Sequence, residues 1–95
     1  MFGKNNLSLY VFKDYLISSM RSKNIIIEHE SSKICELSFN LDDRRINIRL
    51  TLTKNGIIFD IIDPYGFLRI PKCKFKDFNK FREFFINVFS KKVNL

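Results

Sequence analysis

Residues 35–62 alternate between apolar and polar side chains with a period of two, and this pattern constrains the fold more than any other feature of the chain. Apolar side chains occupy the odd positions of 35–41 and the even positions of 46–52. Such alternation is typical of strands that bury one face and expose the other. Asn55-Gly56, between two such runs, is a strong hairpin signal. The sequence therefore predicts an antiparallel sheet with one apolar face.

Further strands are predicted on both sides of this region. Residues 24–30 contain three consecutive isoleucines, and residues 57–63 return as the hairpin partner. We predict turns at 31–33, 42–44 and 63–66. A short strand is predicted at 67–70, ended by Pro71. Whether 67–70 forms an exposed edge strand is left open, so the meander has three to five strands.

Two amphipathic helices are predicted to flank the sheet, at 7–21 and 77–91. Ser8 and Asp77 are suitable N-caps. The apolar stripes are formed by Leu9, Phe12, Leu16 and Met20 in the first helix and by Phe78, Phe81, Phe85 and Val88 in the second. Two apolar stripes and one apolar sheet face imply an α+β fold of two layers, with both helices on one face of the sheet. A chain of 95 residues has room for one domain, 1–95.

The chain is strongly basic, with a formal net charge of +7. A small domain with such a charge favours an anionic partner, most often a nucleic acid. The abundance of Ile, Phe, Lys and Asn is also typical of an A+T-rich coding sequence, so part of the lysine excess follows from codon usage. No apolar run approaches the roughly 18 residues of a membrane span, and no secretory signal is evident. Two cysteines are too few for a disulfide scaffold, so we expect a reduced, cytoplasmic setting.

The positive charge is concentrated in particular parts of the chain. Residues 28–43 hold five carboxylates and one lysine, whereas 64–95 hold eight basic and two acidic residues. Basic side chains on the polar strand faces and in the adjacent turns can neutralise phosphates without reading bases. We predict that an RNA backbone contacts Arg44, Arg45, Arg49, Lys54, Arg69, Lys72, Lys74 and Lys76.

Residues suited to catalysis are sparse. His29 is the single histidine, and if it lies in a strand, Glu28 and Glu30 point to the opposite face. Cys35 falls on an apolar strand face and is expected in the core. The lysines beside Cys73 would lower its thiol pKa, but a residue without a chemical role is the preferred interpretation. Neither cysteine has the spacing of a metal motif. We expect no enzyme activity, no cofactor and no metal.

A second surface bears isoleucines. Ile26, Ile58 and Ile62 are predicted on the sheet face away from the helices, where apolar residues favour burial by a protein partner. The alternative function is therefore that of a small viral, mobile-element or parasite accessory protein that binds or inhibits another protein.

The helix–strands–helix order resembles the small Alu-domain subunits of the signal recognition particle. The segments that carry the resemblance are VFKDYLISSMRSK leading into NIIIE, the hairpin RRINIRLTLTKNGIIFDIID and the closing run KDFNKFREFFINVF. The predicted strand at 35–41 is additional to that family's α-β-β-β-α order. The resemblance implies a cytoplasmic ribonucleoprotein subunit that grips structured RNA as a heterodimer with a homologous subunit and acts in co-translational protein targeting.

Overall fold

The computed structural model describes residues 8–95, which form a five-stranded sheet covered by helices. In chain order the elements are α1 (Leu9–Ser19), a 3-10 turn (Arg21–Lys23), β1 (Ile26–Glu30), β2 (Ile34–Leu41), β3 (Arg44–Thr53), β4 (Gly56–Ile62), β5 (Cys73–Phe75), α2 (Phe78–Phe84), a π-helical segment (Phe85–Phe89) and α3 (Ser90–Lys92). The predicted α+β class is confirmed.

The strands form an antiparallel meander in the order β1-β2-β3-β4-β5. Each strand pairs with its neighbour in sequence, so β1 and β5 are the two edges. The alternation of apolar residues sets the register, because a shift by one residue would turn the apolar side chains of a strand to solvent.

Both helices pack on one face of the sheet, as predicted. Phe12 and Leu16 of α1 are fully buried, as are Phe81 and Phe89 of the C-terminal helix. The Phe12 and Phe81 rings stack with their centroids 4.4 Å apart. From the sheet, Phe59 contacts Phe81 and Phe89 at 5.7 and 5.6 Å between centroids. The opposite sheet face, which we call the outer face, carries no helix of the described region.

The helices α1 and α2 begin directly after the predicted N-cap residues. The Ser8 hydroxyl accepts a hydrogen bond from the backbone N–H of Tyr10 at 3.1 Å. The Asp77 carboxylate accepts one from the N–H of Lys80 at 2.9 Å. The first helix ends earlier than predicted, at Ser19, because the chain tightens into the 3-10 turn and Asn24 then adopts a left-handed conformation, with φ of 55°. Leu7, predicted to begin that helix, lies outside the described residues.

The C-terminal helix buries Phe89, which its sequence places at the side of the apolar stripe, and leaves the predicted stripe residue Val88 partly exposed. Val88 is 38% exposed, whereas Phe89 has no exposed surface. The cause is the π-helical segment, whose wider turn keeps residues four apart on one side of the helix. Phe81, Phe85 and Phe89 therefore form a continuous buried stripe.

The predicted strand at 67–70 is wrong. The fifth strand is Cys73–Phe75, beyond Pro71, and residues 67–70 belong to the loop before it. The Asp63 carboxylate accepts three backbone N–H groups of this loop, from Tyr65, Gly66 and Leu68, at 2.8–3.2 Å. Arg69 has φ of 53°, which an extended strand excludes. Local hydrogen bonding thus outcompetes the strand propensity of the segment.

Candidate nucleic-acid interface

The outer face is organised in cross-strand rows that the register defines. One row contains Ile26, Ser38, Asn47 and Ile62. The next outer row contains His29, Glu36, Arg49 and Asp60, and the third contains Ile34, Thr51, Ile58 and Lys74. Charged groups of both signs therefore share this face, and their pairing decides which cations are open to a ligand.

Arg45 is bonded to other groups of the protein. Its guanidinium donates to Asn40 Oδ1 at 2.8 Å, to Ser38 Oγ at 2.7 Å, and to the backbone oxygens of Ser38 and Asn24. The Ser38 hydroxyl in turn donates to Glu28 Oε2 at 2.5 Å. Ser38 is 1% exposed, so this network satisfies a buried polar group on the outer face. The predicted phosphate ligand Arg45 thus has a structural role.

Arg49 is also paired. Its Nε lies 2.7 Å from Glu36 Oε2 on the adjacent strand. This cross-strand ion pair offsets the charge of Arg49 in the middle of the sheet. The central strands therefore present a largely neutralised surface.

A β-bulge in β1 brings Glu28 to the outer face. The pairing shifts between Ile27 and His29, which leaves Glu28 as the extra residue. Its carboxylate bonds to Ser38, so the expectation that Glu28 faces away from His29 is wrong. Glu30 binds Lys13 Nζ of α1 at 2.7 Å, and this hydrogen bond raises the pKa of Lys13.

The lysines around β5 form no ion pair with any residue that the structure describes. Lys74 pairs with Ile58 across the sheet and lies on the outer face, and Lys72 and Lys76 directly precede and follow the strand. All three are exposed. In the region that the structure describes, none has a carboxylate within 4.0 Å. Their charge is therefore available to an external anion.

Lys54 joins this group at the β3–β4 hairpin. The two turn residues are Lys54 and Asn55, because Thr53 pairs with Gly56. The Asn-Gly signal thus predicts the hairpin correctly, but Gly56 is the first residue of β4. A Cβ on Gly56 would lie 3.2 Å from Cγ of Lys74, which places the hairpin tip next to the β5 lysines.

Arg44 and Arg69 lie toward the other end of the sheet. The Arg44 guanidinium carbon is 5.3 Å from the Tyr65 ring centroid and 5.1 Å from that of Phe67. Tyr65 and Phe67 are 49% and 50% exposed. Arg69 is exposed within the same loop. Sequence reasoning missed these two aromatic residues, although two rings separated by one glycine directly after Asp-Pro are a visible signal for an exposed loop pair.

The predicted isoleucine interface is not contiguous. Ile58 and Ile62 lie four residues apart on β4, with Asp60 between them. Ile26 lies on β1, three strands away from Ile62, at a distance of roughly 14 Å from the usual strand spacing. Ile26 is 51% exposed, whereas the other two are half-buried.

Cys35 is buried and Cys73 is half-buried, and neither thiol is activated. Burial raises the pKa of Cys35 to about 11, and burial also raises the pKa of Cys73. The expectation that Lys72 and Lys74 lower the pKa of Cys73 is wrong, because its side chain faces the helix layer. Within residues 8–95, no three His, Cys, Asp or Glu side chains come together as a metal site.

No helix in the described part of the chain is long and apolar enough to span a membrane. Comparison of the sequence and structure with protein families, curated proteins and solved structures finds no match.

Proposed function

We propose that this protein is a non-enzymatic RNA-binding module that holds the RNA backbone along β5. The observation that carries the proposal is the row of exposed, unpaired Lys72, Lys74 and Lys76 beside Lys54. Lysines in such a row neutralise successive phosphates and release condensed counterions. They position a nucleic acid without reading its sequence.

The proposed interface differs from the one predicted from sequence. Arg45 is bonded to groups of the protein itself, and the ion pair with Glu36 offsets the charge of Arg49. Within the described part of the chain, the β5 lysines have no such acidic partner. We therefore assign the main phosphate contacts to the β4–β5 side of the outer face.

Membership of the signal recognition particle family, a homologous partner subunit and a cytoplasmic location stay predictions. The proposed interface does not depend on any of them, because all of its lysines belong to this chain.

The test is a titration of the full chain against a folded RNA, double-stranded RNA, single-stranded DNA and duplex DNA, each at two salt concentrations. We expect preferential binding to RNA. The log–log salt slope is expected to correspond to three or four phosphates, each contributing about 0.7–0.9. Weak binding to all four that disappears near physiological salt would contradict the proposal and leave the charge as a consequence of codon usage.

A second candidate function is protein binding along β1. This edge strand exposes Ile26 and Ile27, at 51% and 42%, and its outer hydrogen-bonding groups face away from β2. A partner strand added at this edge would cover both isoleucines. The same titration discriminates the two candidates, because this one predicts no preference among the four nucleic acids.

A further inference from the structure

We infer that Tyr65, Phe67 and Arg44 form a stacking site for an unpaired base, an assignment that rests on the proposed RNA-binding function. The two ring centroids are 5.8 Å apart, and the ring planes differ by 15°. The Arg44 guanidinium lies over both rings at nearly equal distances, 5.3 and 5.1 Å. The three groups therefore form one exposed cluster of stacked rings and positive charge, which we call the aromatic platform.

Packing of the core does not explain why the two rings of the platform are exposed. Half of each ring side chain is exposed, while the neighbouring Leu68 and Ile70 bury themselves in the core. A monomer gains little from two large aromatic side chains in water. Aromatic faces and guanidinium planes are the surfaces on which unstacked bases bind.

The loop holds the rings in place before any ligand arrives. Asp63 anchors the backbone at Tyr65 and Leu68 with hydrogen bonds of 3.0 and 2.8 Å. The backbone at Arg44 follows directly on the two-residue turn before β3, in which Asp42 and Asp43 both have positive φ. Prior ordering lowers the entropy lost on binding.

The platform continues the proposed phosphate path. Arg69 and Lys72 follow Phe67 in the same loop and lead directly to Lys74. Arg49 pairs with Asp60 and is therefore level with the start of β5. Arg44 lies five residues away from Arg49 on β3, so the platform is roughly 17 Å from the start of β5 along the strand direction at the usual strand rise. A single strand whose backbone follows the lysines can therefore place a base on the rings, whereas a regular duplex keeps its bases stacked within the helix. This favours single-stranded or looped RNA as the substrate class.

The test compares a single-stranded RNA with the same strand carrying abasic sites, which keeps the phosphates and removes the bases. We expect wild-type protein to prefer the complete strand. Tyr65→Ala is expected to weaken binding of the complete strand by roughly 5- to 150-fold, the usual effect of losing one stacked base, and to leave the abasic strand unaffected. Circular dichroism of this exposed-site variant checks its fold.

A second variant provides a direct signal. The chain has no tryptophan, so Tyr65→Trp introduces a single reporter that can still stack. Its fluorescence should be quenched by the complete strand and not by the abasic strand. Equal wild-type affinity for the two strands, with no differential quenching, would overturn the platform while leaving the lysine interface intact. No binding of either strand would overturn both proposals.

Discussion

At the scale of single residues, the paired or unpaired state of each cation determines its role. Arg45 and Lys74 are both basic residues on the outer face, yet Arg45 donates to four acceptors while Lys74 extends beside a glycine. Alternation in the sequence predicts the face of both residues correctly. It does not reveal that a bulge turns Glu28 toward Ser38, and this contact completes the network that holds Arg45.

Arg45→Ala should lower the free energy of unfolding by about 1–3 kcal/mol, because it leaves the buried Ser38 without its charged donor. Arg49→Ala, which removes one exposed ion pair, should cost under about 1 kcal/mol. Urea denaturation of the two variants measures the difference. Equal losses would show that the network around Ser38 does not stabilise the fold.

At the scale of elements, the strands that alternate were predictable and the connection between β4 and β5 was not. Residues 35–62 gain their register from burial of one face, which the sequence displays. The 63–72 loop depends on Asp63 capping three N–H groups and on the left-handed Arg69. Such contacts leave no periodic pattern. The same loop carries Tyr65 and Phe67, so the prediction of a strand at 67–70 also concealed the aromatic platform.

The β3–β4 hairpin requires a glycine at its β4 end, where the backbone of the neighbouring β5 lies close to it. Gly56 has φ of 147°, and a Cβ there would lie 2.6 Å from the Phe75 carbonyl oxygen. Gly56→Ala should therefore destabilise the protein by about 2–4 kcal/mol through backbone strain and displacement of β5. Gly66 is the matched control: it has φ of 72° but no atom within 4 Å of a Cβ, so Gly66→Ala should cost about 1 kcal/mol. A larger loss for Gly66→Ala in thermal or urea unfolding would contradict the close approach of β5.

At the scale of the whole molecule, the apolar side chains and the charges lie in different layers. The helix layer and the inner sheet face hold the phenylalanine-rich core, so most aromatic residues are structural, as their helical spacing predicts. The outer face carries the charges. On that face the acidic groups lie beside the central arginines and leave the β5 edge positive. The distribution of the charges therefore determines where an anion is attracted more than the net charge does.

We propose that this edge, rather than the net charge, binds RNA, and one matched pair of variants tests it. Lys72→Ala/Lys74→Ala removes two charges from β5, whereas Lys91→Ala/Lys92→Ala removes two exposed charges from α3 in the helix layer. RNA affinity is measured by fluorescence anisotropy across a salt series. We expect the β5 pair to weaken binding roughly tenfold or more at low salt and to reduce the salt slope by about 1.4–1.8, while the α3 pair has little effect. Equal losses in the two variants would contradict it, because RNA would then respond to the charge of the whole molecule and not to the β5 edge.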